Sequence, residues 1–232
     1  MFRDREEAAR LLARRLEGRT FRDPLVLAIP RGGVVTGAVL ARALDAELDV
    51  VLSRKLRAPD QPELAVGAIA EGGQMYLNHE AQEILGLDDA YLEEERRYQL
   101  SEIARRRALV RSVRPQASVA GRSVIVTDDG IATGATMIAA LEVARAQRPH
   151  ELIVAVPVAS PDRLAEVARH CDETVCLLTP VDFWAIGQFY EDFSPVADSE
   201  VVELLRATET VSHRPGSARG GASAESGRQR DS

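Results

Sequence analysis

Long apolar runs are missing from this chain of 232 residues. The best of them, LVLAI at 25–29 and LIVAVPVA at 152–159, stop far short of the about 20 residues a membrane span needs, so no transmembrane helix and no membrane partner is expected. Cysteine is scarce too. Cys171 and Cys176 stand without a second pair, too few for a disulfide scaffold or a zinc knuckle, and a reducing cytoplasm fits them. There is no excess of basic charge: 29 Lys+Arg face 36 Asp+Glu, a formal net charge of −7 that argues against a nucleic-acid-binding surface. A local site for small anions stays open. The Arg-rich opening, MFRDREEAARLLARRLEG, lacks the apolar stretch of a secretory leader and contains Asp4, Glu6, Glu7 and Glu17, so it reads as part of the folded domain. Two familiar phosphate-binding patterns are absent as well. No GxGxxG follows the first strand-like run, and no GxxxxGKS or GxxxxGKT occurs.

What is there reads as strands alternating with helices. Leu11, Leu12 and Leu16 at helical spacing predict an amphipathic helix over 3–17, followed by a strand at 25–29 and a helix from Val34 to Asp45. LDVVLSRKL predicts one buried strand over 48–56. Residues 65–70 and 75–77 around Gly72-Gly73 predict a hairpin, and 88–112 a long helix with a solvated charged face. Strands at 123–127, 151–158 and 174–178 then alternate with helices at 134–148 and 161–170. Such spacing implies right-handed crossovers and an open, mainly parallel α/β sheet with helices on both faces. From about Ala207 the chain is rich in Gly, Ser and Ala and lacks apolar anchors, which predicts one domain over 1–206 and a disordered tail over 207–232.

The strongest chemical signal is VIVTDDGIATGAT at 124–136, an apolar strand running into a helix through two carboxylates and a Thr/Gly turn. Gly134 permits close backbone approach, and the amides from Thr133 to Thr136 can form an anion-binding nest at the helix N-terminus. Asp128 and Asp129 would repel a phosphate placed directly on them. They suit sugar hydroxyls or a divalent cation beside it, so the ligand should combine a phosphate with a polyhydroxyl ring. The competing explanation is that the acids merely cap the helix, which would need only one of them.

These residues resemble the signature for 5-phospho-α-D-ribosyl 1-diphosphate (PRPP) in type I phosphoribosyltransferases. LVLAIPRGG, DVVLSRKL, PELAVGAIAEGG and VDFWAIGQFYEDF extend the likeness to a bacterial subgroup of that family over roughly 1–206. The resemblance implies that Asp128 and Asp129 hold the ribose hydroxyls, directly or through water on Mg2+, and that Thr133, Gly134, Ala135 and Thr136 grip the 5-phosphate, with Ile131 and Ala132 completing the loop. It implies a pyrophosphate loop at Arg31 and Gly32, often containing a strained or cis non-proline peptide, and a pyrophosphate contact at Lys55. It also implies a flexible region over 57–80 that closes over PRPP, with Glu71 and His79 as its polar residues, within a lid hairpin and long helix spanning 57–112, and a hood over 179–195. Members acting on 6-oxopurines usually carry an Asp where this chain has Ala132, which disfavours hypoxanthine and guanine.

Five of the ten aromatics, Phe183, Trp184, Phe189, Tyr190 and Phe193, crowd into 183–193. Rings there could stack on a base, plug the end of the sheet or make a homodimer contact. The family's hood favours Phe183, Trp184 and Tyr190 as acceptor-pocket residues. The expected activity is transfer of ribose-5-phosphate from Mg-PRPP to a nitrogenous base with release of pyrophosphate. Arg31 and Lys55 would stabilise the leaving group, while Asp128 and Asp129 fix the sugar. A PRPP or nucleotide sensor without turnover is the alternative, and a hydrolase of a phosphorylated sugar is a third reading.

Overall fold

The protein is described by a computed structural model over residues 1–59, 61–77 and 85–209. Next to the middle strand of its main sheet lies β1 (Leu25–Ala28), whose four residues are all buried because the strand is covered on both faces. Side chains alternate across it. Val26 and Ala28 face one apolar cluster with α1 (Arg5–Leu16) and α2 (Gly32–Ala43). Leu25, Leu27 and Ile29 face a second cluster with α4 (Ala135–Ala146).

β2 (Glu47–Val50), β6 (Ser123–Thr127), β7 (Glu151–Val158) and β8 (Glu173–Leu178) complete a five-stranded sheet in the order β2-β1-β6-β7-β8, with every neighbouring pair parallel. α5 (Pro161–Val167) and a 3-10 turn at Ala168–His170 connect β7 to β8. This is the open, mainly parallel α/β sheet expected, with helices on both faces.

The expected strand over 48–56 is instead two. β2 stops at Val50, and β3 (Ser53–Ala58) turns away to pair antiparallel with β4 (Gln61–Ala70), which pairs in turn with β5 (Met75–Leu77). Ser53, Arg54 and Lys55 explain the break, since charged side chains cannot continue a strand covered by apolar layers on both faces. The predicted hairpin is therefore the outer part of a separate three-stranded sheet. α3 (Asp89–Arg111) packs on β3 of that sheet through Leu92, Glu95, Gln99 and Ile103. His79 lies outside the described residues.

The helix α6 (Asp198–Glu209) lies beyond the expected elements. It carries the chain past the Ala207 boundary drawn from composition, and residues 210–232 lie outside the described ones. Val201 and Leu205 are buried against the α2 side of the sheet. No helix among the described residues is long and apolar enough to cross a membrane.

The two sheets are joined by a buried ion cluster at the C-terminal end of α3. Arg111 donates to Asp49 of β2 at 2.8 Å and, through Nε, to Glu71 at the end of β4 at 2.9 Å. Asp49 also accepts from the Val50 and Ala117 amides at 2.7 and 2.9 Å. Burial raises the Asp49 carboxyl above its ordinary range, and the Arg111 charge opposes that rise. Removing the cation would leave Asp49, whose side chain is 1% exposed, without its ion-pair partner and Glu71, 6% exposed, with only the longer contact to Arg107 at 3.5 Å. Arg111→Met should lower the free energy of unfolding by about 3–5 kcal/mol, measured by urea denaturation at neutral pH.

Candidate active site

The order of the main sheet reverses at β1, which has β2 on one side and β6 on the other. In an open parallel sheet the crevice outside the strand ends at such a point is where ligands bind. Two loops meet there. The first leaves β1 through Ile29 to Gly33, with a cis peptide between Pro30 and Arg31, as the resemblance implied. The second leaves β6 through Asp128 to Gly134.

Each loop opens directly into a helix that no side chain caps. By contrast, α1 and α3 are capped by the carboxylates of Asp4 and Asp88. Gly134 takes φ of +82° at the start of α4, a left-handed conformation that glycine adopts without the steric cost other residues meet. The capping explanation for the acid pair therefore fails. Asp128 Oδ1 accepts from the Asp129 amide at 2.8 Å, and the first-turn N–H groups of α4 are left for another acceptor.

Thr133, Ala135 and Thr136 form one wall of a cavity of about 420 Å3. Opposite them stand β3, with Arg54, Lys55 and Arg57, and α3, with Gln99, Glu102 and Arg106. Lys55 is the only lysine of the chain. It reaches the cavity from β3 of the antiparallel sheet and not, as expected, from the end of the second parallel strand. Gln99 accepts from Arg54 Nε at 2.8 Å, and Glu95 accepts from Arg57 Nε at the same distance. Arg106 has cations around it instead. Burial, then the charges of Arg54 and Arg31, lower its pKa, and the charge of Asp198 opposes them. Arg31 is 4.0 Å from the same Asp198, at the start of α6. A chamber with helix amides on one side and crowded guanidinium groups on the other is built for a ligand carrying several negative charges.

The acid pair divides. Asp128 is half-buried and lines a smaller cavity of about 130 Å3 with Ile131, Ala132, Thr133, Gly134 and Thr136. Burial, and then the Asp129 charge, raise its carboxyl well above the ordinary range. Asp129 turns inward, where its Oδ2 accepts from Arg5 Nε at 2.8 Å. Gly32 lies so close to it that a Cβ there would come within 1.9 Å of the same oxygen.

The aromatic segment is only partly at the crevice. Tyr190 is 5% exposed, its ring held between Phe2 and Phe193, and its hydroxyl donates to the Asp129 carbonyl at 2.7 Å. That ring braces the loop and offers no face to a base, which revises its expected role in the acceptor pocket. Burial, then the Asp129 charge, push its phenol well above the ordinary value. Phe183 packs on Phe189 with centroids 5.2 Å apart, and Trp184 is 90% exposed. Ile186 is the hood side chain that lines the smaller cavity.

Sequence reasoning missed Arg5, Arg106 and Asp198. Arg106 sits in a helix whose charges read as an ordinary solvated face and Arg5 in an amphipathic one, and only the fold brings them in. No group of three or more His, Cys, Asp or Glu that could cage a metal occurs among the described residues.

Residues 4–194 match the family described as the phosphoribosyl transferase domain. A protein of Mycobacterium tuberculosis H37Rv that carries the name "Putative phosphoribosyl transferase" is 44% identical over 205 residues, covering 88% of this chain and 46% of the relative. A counterpart in strain CDC 1551 gives the same figures, so the chain spans about half the length of the curated relatives it matches. The solved structure of TT1426 from Thermus thermophilus is 45% identical, with a TM-score of 0.85 over 89% of this chain and 98% of that one.

Two measurements test this geometry. Gly32→Ala forces a methyl group onto the Asp129 carboxylate and should destabilise the fold by about 1–3 kcal/mol in thermal unfolding, the usual cost of overpacking. Burial by itself would raise the Glu95 carboxyl, yet the Arg57 and Gln99 hydrogen bonds take it below its ordinary value. A depressed carboxyl contributes stability above the unfolded-state value and loses it as pH falls through the folded one. Amide exchange in β3 and α3 should therefore accelerate, beyond the intrinsic effect of pH, on acidification below about pH 4.

Proposed function

Because the chain belongs to the phosphoribosyl transferase family, we propose that it binds Mg-PRPP and transfers ribose-5-phosphate to a nitrogenous base in the cytoplasm, releasing pyrophosphate. The observation that carries this reading is the chamber itself, with the uncapped start of α4 facing the cationic wall of β3 and α3 and Asp128 alongside the turn. One ligand that satisfies all three surfaces has a phosphate at one end, a diphosphate at the other and a hydroxylated ring between them.

In this mechanism the turn from Thr133 to Thr136 holds the 5-phosphate with backbone amides and two exposed hydroxyls. Asp128 and Asp129 accept from the ribose hydroxyls and fix the ring. Arg31, Lys55 and Arg106 stabilise the diphosphate as the C1–O bond loosens and negative charge gathers on the leaving oxygen. The nitrogen of the base then forms the C1–N bond and gives up its proton to solvent, because Ala132 supplies no acid or base. Hood residue Ile186 limits access of water to the sugar.

The residues fit a magnesium ion of the substrate-bound kind. Asp128 offers a carboxylate at the cavity wall whose charge is poorly solvated, and such ions bind through one or two carboxylates plus substrate oxygens without a protein cage. When bound, magnesium supplies positive charge that neutralises the diphosphate and aids its departure.

The test is pyrophosphate release on mixing the protein with PRPP, Mg2+ and a panel of bases that begins with adenine and the pyrimidines. Release with one of them is expected. Asp128→Asn should lower kcat/KM by roughly 100-fold. Arg106→Ala should raise KM for PRPP by roughly 10-fold or more, as expected for a lost charge-assisted contact. Calorimetric binding of PRPP without release would point to a sensor. Absence of PRPP binding would refute the proposal.

A further inference from the structure

Residue 129 is held at three polar atoms, and two of the partners come from distant parts of the chain. Its amide donates to Asp128, its carbonyl accepts from Tyr190, 61 residues away, and its Oδ2 accepts from Arg5, 124 residues away. The Arg5 and Asp129 side chains are 12% and 10% exposed. A pair this secluded is held by geometry and is weakly screened.

Arg5 is itself oriented by the hood. Its Nη1 donates to the Ser194 carbonyl at 2.8 Å, and its guanidinium lies 3.9 Å above the centre of the Phe193 ring. The backbone just before it is stitched to the same segment. Phe2 donates to the Phe189 carbonyl at 2.7 Å, and the Phe2 and Arg3 carbonyls accept from the Glu191 and Asp192 amides, each at 2.8 Å. The start of α1 and the hood thus form one unit that reaches Asp129 through the Arg5 guanidinium and the Tyr190 hydroxyl.

We infer that Arg5 is a positioning residue for the sugar: it turns Asp129 Oδ2 away from the ligand, presents Oδ1 to a ribose hydroxyl, and ties that orientation to the hood. The inference rests on the pentose phosphate reading above and assigns to Arg5 a role distinct from holding either phosphate. An unpartnered Asp129 beside Asp128 would swing away from its like-charged neighbour, and the hydroxyl contact would be lost while the turn at Thr133 to Thr136 kept its grip on phosphate.

Titration calorimetry with ribose 5-phosphate and with inorganic phosphate separates these effects, using the full chain and the variants Arg5→Gln and Arg5→Lys. Wild-type protein should bind both probes. Arg5→Gln should weaken ribose 5-phosphate by roughly 10-fold or more and leave inorganic phosphate within about twofold, the loss expected for one oriented charge-assisted hydrogen bond. Arg5→Lys keeps the charge and loses the fork, so it should fall between the two. Unchanged ribose 5-phosphate affinity in both variants, or parallel weakening of both probes, overturns the inference, since a merely structural role moves both ligands together. Circular dichroism checks folding; should Arg5→Gln not fold, Arg5→Lys decides by the same criteria. Failure of wild-type protein to bind ribose 5-phosphate overturns the pentose reading itself, and this inference with it.

Discussion

The parallel pairing of β1 between β2 and β6 is the constraint from which the site follows. Ala28 lies in register with Val50 on one side and Thr127 on the other, so the chain leaves all three strands at the same level. Two of those exits open at once into helices, and the third turns away into β3. The register thereby aligns two sets of unbonded helix amides without any side chain having to reach across the sheet. The interior must be apolar on both faces to hold that register, and every residue of β1 and β6 is buried.

The cations come from a different source. A main sheet covered on both faces cannot itself display them. They are supplied by β3 and α3, a second unit that packs on α4 and is fixed to β2 by Arg111. Amides and the acid pair thus arrive on one body and most of the guanidinium groups on another, with Arg31 added from the loop after β1. The cavity is the gap between the two, and its charge balance is set by how they abut. Arg106 shows the result, a cation destabilised by burial and by neighbouring cations in a space that an anion would relieve.

Much of this was legible in the chain. The apolar strands, their spacing and the DDGIATGAT turn pointed to a parallel sheet with an anion nest, because burial on both faces and a glycine before a helix leave local marks. LDVVLSRKL misled because an apolar run that ends in charge looks the same whether the strand stops or continues elsewhere. α6 left a readable pattern in Val201, Leu204, Leu205 and Thr208, but the polar tail beyond it drew attention away. Tyr190 could not be placed from composition, since a ring that stacks on a base and a ring that plugs a loop are the same residue. Arg5 was beyond reach altogether. Its meaning depends on a partner 124 residues along the chain, and a helix rich in arginine conceals the one that points inward.

The stitching of the N-terminal segment to the hood also bears on the order in which the molecule is assembled. Phe2 and Arg5 have their partners between Asp129 and Ser194, so during synthesis on a ribosome they wait until nearly the whole domain has emerged. Such distant closure is slow compared with the formation of neighbouring helices and strands. The core can collapse early, then, but the carboxylate at its edge acquires its final direction only when the two ends of the domain are brought together.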